Sequence, residues 1–324
     1  MQVTMKFVRT KNEDPDQRDS FVVDVDPETS VFEAMSKVRE EQDGSLAFRG
    51  TCNTGFCGDC TCQANGKRVV PCLVKVKDSV KEDAIEIKLI RNVAPVKDVL
   101  YDVDQFMWKK YKYFRPWLET NGTAPAVKDE DLEPVRLAMR CTVCGLCDEG
   151  CTVIDVDKEF LGPMALTKGL YRTTKDPRDQ DTKQRFIEAG EKKGLWDCVH
   201  CWEASEHCPW GINPTHLIMD LRDDSIALGV KSGKGNPMAA RHYNAFADSV
   251  KKSGWLNERM LASKTYGLPP YGLSLSGMMS QMPIALKAIR KGKASLRPHK
   301  SRPGARQIAK IFAKVEQSHK NKKA

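Results

Sequence analysis

The chain has 324 residues, 40% of them apolar and 29% charged, with a formal net charge of +9. That profile is a globular one with room for two domains, and no run approaches the eighteen continuous apolar residues of a membrane span. From Lys287 onward thirteen Lys or Arg face one acid, Glu316, so this segment carries +12 and the remainder about −3. The basicity belongs to the tail. Residues 1–10 lack an apolar h-region, so no secretory signal is expected, and thiols are expected to stay reduced and open to iron.

In chain order, Val3, Met5 and Phe7 alternate with polar neighbours and residues 21–25 are β-branched and aromatic, which predicts a hairpin. Thr29 or Ser30 is placed to cap a helix in which Val31, Phe32, Met35 and Val38 recur at helical spacing. A Gly-punctuated cysteine loop follows, then predicted strands over 69–76 and through Ile85, Ile87 and Leu89. The fold class expected from this grammar is α+β for residues 1–95. Residues 96–230 read as mainly helical, with helices over 104–114, 183–193 and 215–228, the last opened by Pro214. Residues 231–324 form a basic extension, in which 231–237 reads as a Gly/Lys linker and 268–282 as Pro, Gly and Ser without a clear period.

Within the extension Ile308, Ile311, Phe312 and Val315 lie at i, i+3, i+4 and i+7, with Arg306, Lys310 and Lys314 for the other face. That is a basic amphipathic helix, suited to an anionic lipid surface or an acidic groove. The competing reading is a helix packed on its own complex with a solvated charged face. No nucleic-acid reading motif accompanies the charge.

The twelve cysteines carry the chemistry. Cys52, Cys57, Cys60 and Cys72 make a C-x4-C-x2-C set closed by a distant thiolate, the plant-type pattern for a 2Fe-2S cluster. Gly55 and Gly58 between the ligands let backbone amides approach the sulfides. A four-thiolate zinc site instead pairs two short knuckles. Cys62 is left over and reads as a buried, unligated thiol.

Cys141, Cys144, Cys147 and Cys151 then follow the bacterial-ferredoxin spacing, in which the fourth cysteine serves a neighbouring cluster. By that logic Cys141, Cys144, Cys147 and Cys208 hold a 4Fe-4S cluster, and Cys151, Cys198 and Cys201 a second one. Where the second motif would place its third cysteine, the chain has Ala204. Three thiolates favour 3Fe-4S, unless His200, Glu203 or His207 completes a second 4Fe-4S cubane.

Residues 1–228 resemble the iron-sulfur subunit of succinate dehydrogenase and fumarate reductase. The resemblance rests on Arg49-Gly50-Thr51-Cys52, Cys57-Gly58-Asp59-Cys60, Asn65-Gly66 leading to Cys72, the 141–147 run, Gly162-Pro163, Asp176-Pro177-Arg178-Asp179, Cys208-Pro209 and Asn213-Pro214-Thr215. It implies a β-grasp 2Fe-2S ferredoxin domain followed by an α-helical ferredoxin domain. It also implies electron transfer between the FAD of a flavoprotein subunit, where succinate and fumarate interconvert, and a quinone pool reached through a membrane anchor.

The chain departs from that family in three places. Cys201 and Ala204 replace the usual ligand pattern of the last cluster. Thr152-Val153-Ile154-Asp155 stands where relatives carry Pro and a Trp pair at the quinone site, so Trp202 and Trp210 are the aromatic candidates near quinone. The extension after about 230 resembles variants whose anchor is a cysteine-rich subunit related to heterodisulfide reductase. The expectation is therefore a non-catalytic-centre subunit of an oxidoreductase, peripheral on the cytoplasmic side of a membrane and free of nucleic acid. The rivals are a thiol-dependent fumarate reductase or heterodisulfide-reductase-like complex, and a redox sensor.

Overall fold

The computed structural model describes residues 1–11, 14–123, 125–191, 193–230, 237–266, 275–293 and 300–321. It divides into two units, Met1–Gly233 and Lys234–Ala324.

The first unit begins with β1 (Gln2–Lys11) and β2 (Asp14–Asp24), antiparallel with Val3 opposite Val23 and Met5 opposite Phe21. Alternation puts Val3, Met5 and Phe7 on one face, each at most 1% exposed. β1 also runs parallel to β5 (Ala84–Lys88), pairing Met5 with Ile85 and Phe7 with Ile87. Between them lies α1 (Val31–Glu41), which buries Val31, Ala34, Met35 and Val38 against the same core. Ser30 starts α1 with a capping box, its Oγ accepting from Glu33 N (3.1 Å) while Glu33 Oε2 accepts from Ser30 N (2.9 Å). Such a cap contributes about 1 kcal/mol. β3 (Cys62–Ala64) and β4 (Lys67–Val69) complete the sheet in the order β2-β1-β5-β3-β4. Their hairpin turns at Asn65 and Gly66, both at positive φ.

The strand expected over 69–76 is corrected. β4 ends at Val69, and Pro71, which has no N–H to give a ladder, opens a 3-10 turn, Pro71–Leu73. A short helix, Val76–Ser79, follows. The turn folds Cys72 back toward the cysteine loop.

Arg9 is 1% exposed. It is anchored by Asp98 through Nε and Nη2, both at 3.0 Å, and it also pairs with Asp19 and Asp43. This buried network ties β1 to the ribbon β6 (Pro95–Lys97) and β7 (Leu100–Tyr101).

Beyond the ribbon the unit is helical. Asp104–Trp108 is one π-type stretch that runs into Lys109–Tyr113. α2 (Leu146–Glu149) sits inside the second cysteine run. α3 (Thr182–Ala189) stops at Gly190, short of the expected Lys193. Its Arg185 is 1% exposed and pairs with the fully buried Asp179 at 3.0 Å, while donating to the carbonyls of Phe114, Arg115 and Trp117. α4 (Glu203–Glu206) lies between Cys201 and Cys208. α5 (Pro214–Ala227) opens at Pro214, with Asn213 as its cap.

The second unit holds α6 (Pro237–Ser253), α7 (Glu258–Tyr266), α8 (Leu275–Arg290) and α9 (Ala305–Asn321). α9 is the amphipathic helix expected from sequence, and it packs on α6 with Ile308 and Phe312 half-buried. Lys251 of α6 meets Glu316 at 2.7 Å, and Arg302 stacks 3.7 Å over Trp255. α8 corrects the aperiodic reading of 268–282, whose residues 268–274 lie outside the described residues. Pro283 inside α8 disguises its helical spacing. Residues 231–236 of the expected linker also lie outside the described residues, and Pro237 opens α6.

Candidate metal centres

None of the twelve cysteines is in a disulfide. In the first loop the amides of Thr54 and Cys57 point at Cys52 Sγ, at 3.4 and 3.3 Å. Hydrogen bonds from Thr54, and then from Cys57, hold the Cys52 thiol down at about 6. Cys60 Sγ and Cys72 Sγ stand 3.7 Å apart, brought together by the 3-10 turn. Burial pushes the Cys60 thiol up. Gly55 and Gly58 have φ of 79° and 70°, so this loop can turn its amides inward where a side chain would obstruct. Cys62 points the other way, 1% exposed in the sheet core, its thiol raised by burial alone.

Cys141, Cys144, Cys147 and Cys208 line one cavity, with Met164 and Ile212 among its apolar walls. The enclosed cavity volume is about 20 Å³. Burial raises the Cys141 thiol to about 11 and the Cys144 thiol to about 12. Cys147 is pushed up by burial and then by the charges of Asp148, Cys141, Cys144 and Cys208, which marks the four thiols as neighbours. Among the described residues no three His, Cys, Asp or Glu side chains meet at a single-ion site. The four thiols instead face one shared, mainly apolar cavity.

The third group repeats the second. Cys198, Cys201, Ala204 and Cys208 follow the same intervals as Cys141, Cys144, Cys147 and Cys151. The backbone repeats too. Val143 and Gly145 have φ of 60° and 74°, and His200 and Trp202, at the corresponding positions, have 54° and 67°. A short helix follows each pair, α2 and α4. Positive φ at a β-branched or bulky residue stores on the order of 1–3 kcal/mol, and such strain gathers at functional sites. Ala204, 5% exposed, occupies the place of Cys147. Burial and then hydrogen bonds set the Cys151 thiol at about 11, with Cys198 acting on it, and Cys201 acts on Cys198 in turn. Cys198 thus feels both Cys151 and Cys201. Glu203 and His207 are both engaged by Arg68, at 2.6 and 3.3 Å. His200 Nε2 is buried without a hydrogen-bond partner.

The first and second loops touch backbone to backbone. A Cβ on Gly58 would lie 2.7 Å from Thr142 O and 2.9 Å from Cys144 N. Thr61 Oγ1 donates to Cys144 O at 2.9 Å. Trp210 bridges the same junction, its Nε1 donating to Thr142 Oγ1 at 2.9 Å and its ring lying under Gly55. Trp202 is elsewhere, 46% exposed at the start of α4.

Two features escaped the sequence reading. Arg68 of β4 reaches Glu149 at 3.2 Å, beside Cys151, and Glu203, beside Cys201. A Cβ on Gly150 would fall 1.1 Å from Arg68 Nη1, so only glycine admits the guanidinium. Asp148 is fully buried, its carboxyl pushed up to about 6 by burial, and it accepts from Met164 N at 2.9 Å. Buried charges beside cysteine motifs have no sequence period. The single available signal was glycine immediately before Cys151.

Comparison with known proteins bears on this arrangement. Residues 3–108 match a family described as a 2Fe-2S iron-sulfur cluster binding domain, and residues 137–212 one described as a 4Fe-4S dicluster domain. The chain is 28% identical over 205 residues to the fumarate reductase iron-sulfur subunit of Mycobacterium tuberculosis, covering 61% of this chain and 82% of that one. It is 30% identical over 199 residues to the mitochondrial succinate dehydrogenase [ubiquinone] iron-sulfur subunit 1 of Oryza sativa, covering 59% of this chain and 69% of the relative. The chain belongs to the succinate dehydrogenase and fumarate reductase iron-sulfur subunit family. Among solved structures, a chain of the Mycobacterium smegmatis Sdh1 complex in the apo form shares the fold of this iron-sulfur subunit, with a TM-score of 0.60 at 20% identity over 70% of this chain and 96% of that one.

Proposed function

We propose that this chain carries electrons between a FAD-bearing flavoprotein subunit, where succinate and fumarate interconvert, and a quinone-reactive membrane-anchor or cysteine-rich subunit. Bound iron-sulfur clusters supply one-electron carriers whose potentials follow cluster type, hydrogen bonding and exposure. The ligand sets proposed are Cys52, Cys57, Cys60 and Cys72 for 2Fe-2S, and Cys141, Cys144, Cys147 and Cys208 for 4Fe-4S. Cys151, Cys198 and Cys201 are proposed for 3Fe-4S, with His200 as the side chain left to face that centre. In domain terms these fall in residues 1–95 and 96–230, with 231–324 as the extension.

The observation that carries the reading is the contact of the first two loops. Gly58, Thr61 and Trp210 hold two thiolate sets together with no water layer between their backbones. The third set shares its segments with the second, because Cys151 follows Cys147 and Cys201 precedes Cys208, and Arg68 braces both segments. A short chain of carriers through protein is what a relay requires. Trp210, at the inner junction, serves that contact, which leaves Trp202 as the aromatic candidate near quinone. No helix among the described residues is long and apolar enough to cross a membrane, in keeping with a peripheral subunit, for which the cytoplasmic side is proposed.

The test is purification of the native complex under anaerobic conditions. A flavoprotein should accompany this chain, and succinate should bleach the cluster absorbance. A purified complex without flavin, or one whose clusters succinate leaves oxidised, would overturn the reading.

A further inference from the structure

The helix α8 is not packed like its neighbours. Met279, Met282, Leu286 and Ile289 lie at i, i+3, i+7 and i+10 and so share one face of it. They are 72%, 57%, 56% and 37% exposed. Ser276, Ser280 and Lys287 fall on the opposite side of the helix, beside Ile284. A four-residue apolar stripe in water is the signature of a surface meant to be covered.

The charge around the stripe says what covers it. Between Glu258 and Glu316 the sequence contains no acid and twelve Lys or Arg. Lys287, Arg290, Lys291 and Lys293 sit on the last turn of α8 and just past it, all exposed where described. A helix with an apolar face, a cationic end and no carboxylate matches an anionic bilayer, whose interior takes the stripe and whose headgroups take the cations. A protein groove lined by acids would meet the charge, but it would not need a continuous apolar face ending in four cations. Pro283 fits the same environment, since the carbonyl it frees in the preceding turn stays within reach of interfacial water.

We infer that α8 lies in the surface of an anionic membrane and anchors this chain there directly, independently of its partner subunits. The inference does not rest on the electron-relay reading. α9 is a different case, because its apolar face is partly used on α6.

The experiment is flotation of the full, cluster-loaded chain with vesicles of phosphatidylcholine alone or with one part in three phosphatidylglycerol. Wild type should float with the anionic vesicles and not with the neutral ones, and the double variant Met282→Asp/Leu286→Asp should stay at the bottom. Neutralising Lys287, Arg290, Lys291 and Lys293 to Gln should weaken partitioning by roughly 600-fold, at roughly fivefold for each charge. Ile311→Asp in α9 is the control and should float as wild type does. Unchanged cluster absorbance in each variant shows that the fold is intact. Wild type that ignores anionic vesicles, or a double variant that floats normally, overturns the inference. So does a double variant whose only defect is release from a partner subunit.

Discussion

Gly58 is where the relay is most exposed to a single atom. With φ of 70°, a side chain there costs roughly 1–2 kcal/mol from the left-handed backbone alone. Its Cβ would also meet Thr142 O at 2.7 Å and Cys144 Cα at 2.9 Å, both backbone atoms that cannot swing aside. Carbon atoms rest about 3.5–4.0 Å apart, so the two loops must separate by close to 1 Å, an overpacking cost of about 1–3 kcal/mol. Gly58→Ala should therefore lose about 2–5 kcal/mol in all, on the sum of those two effects. Gly66→Ala is the internal control, because it has φ of 76° and nothing within 4 Å of its Cβ. It should pay only the backbone cost. Denaturant unfolding of the cluster-loaded proteins, followed in the visible region, measures the difference, and EPR of the reduced proteins reads the magnetic coupling between the first two centres. Equal losses for the two variants, with unchanged coupling in Gly58→Ala, would refute the claim that the loops are in contact.

Other predictions concern the scaffold and the third centre. Arg185→Met strands the buried Asp179 carboxylate, which still accepts from Glu119 N and Thr182 Oγ1, and should cost about 3–5 kcal/mol in the same unfolding assay. A loss under 1 kcal/mol would show that the pair is not structural. Hydrogen bonds from Ser45 and then Arg9 hold the Asp43 carboxyl down at about 2, below the unfolded value of about 3.9. Its contribution is therefore complete above pH 4 and is lost as pH falls toward 2. Urea titrations between pH 4.5 and 2.5 should fall less steeply for Asp43→Asn than for wild type, and parallel slopes would contradict the assignment. Ala204→Cys restores the missing thiolate, so a three-iron EPR signal in oxidised wild type should give way to a four-iron centre. An unchanged oxidised spectrum would place Ala204 away from the cluster.

The legible parts of this chain were those where one local rule decides the outcome. The alternation of Val3, Met5 and Phe7 and the spacing of Val31, Met35 and Val38 each name the face they bury, and Ser30 with Glu33 marks where the helix begins. Cysteine intervals named three thiol groups; the structure lines one cavity with Cys141, Cys144, Cys147 and Cys208 and sets Cys60 3.7 Å from Cys72. What stayed hidden depends on contacts between distant segments. Val69 and Val70 look like continuing strand, and Pro71 turns the chain because Cys72 must meet Cys60. Arg68 looks like an ordinary hairpin cation, yet it reaches Glu149 and Glu203 across the sequence. Trp210 reads equally well at either end of the relay until its indole is seen against Thr142 and Gly55. In α8 a proline and several small polar residues hid a helix whose apolar face stays exposed.

The central claim is that spaced thiolates hold three iron-sulfur centres in series. The most direct measurement is iron and acid-labile sulfide analysis of the anaerobically purified chain, read together with EPR in oxidised and dithionite-reduced states. The expected result is about nine to ten irons per chain, with a 2Fe-2S and a 4Fe-4S signal on reduction. A chain holding zinc in place of iron, with no labile sulfide and no EPR signal, would contradict it.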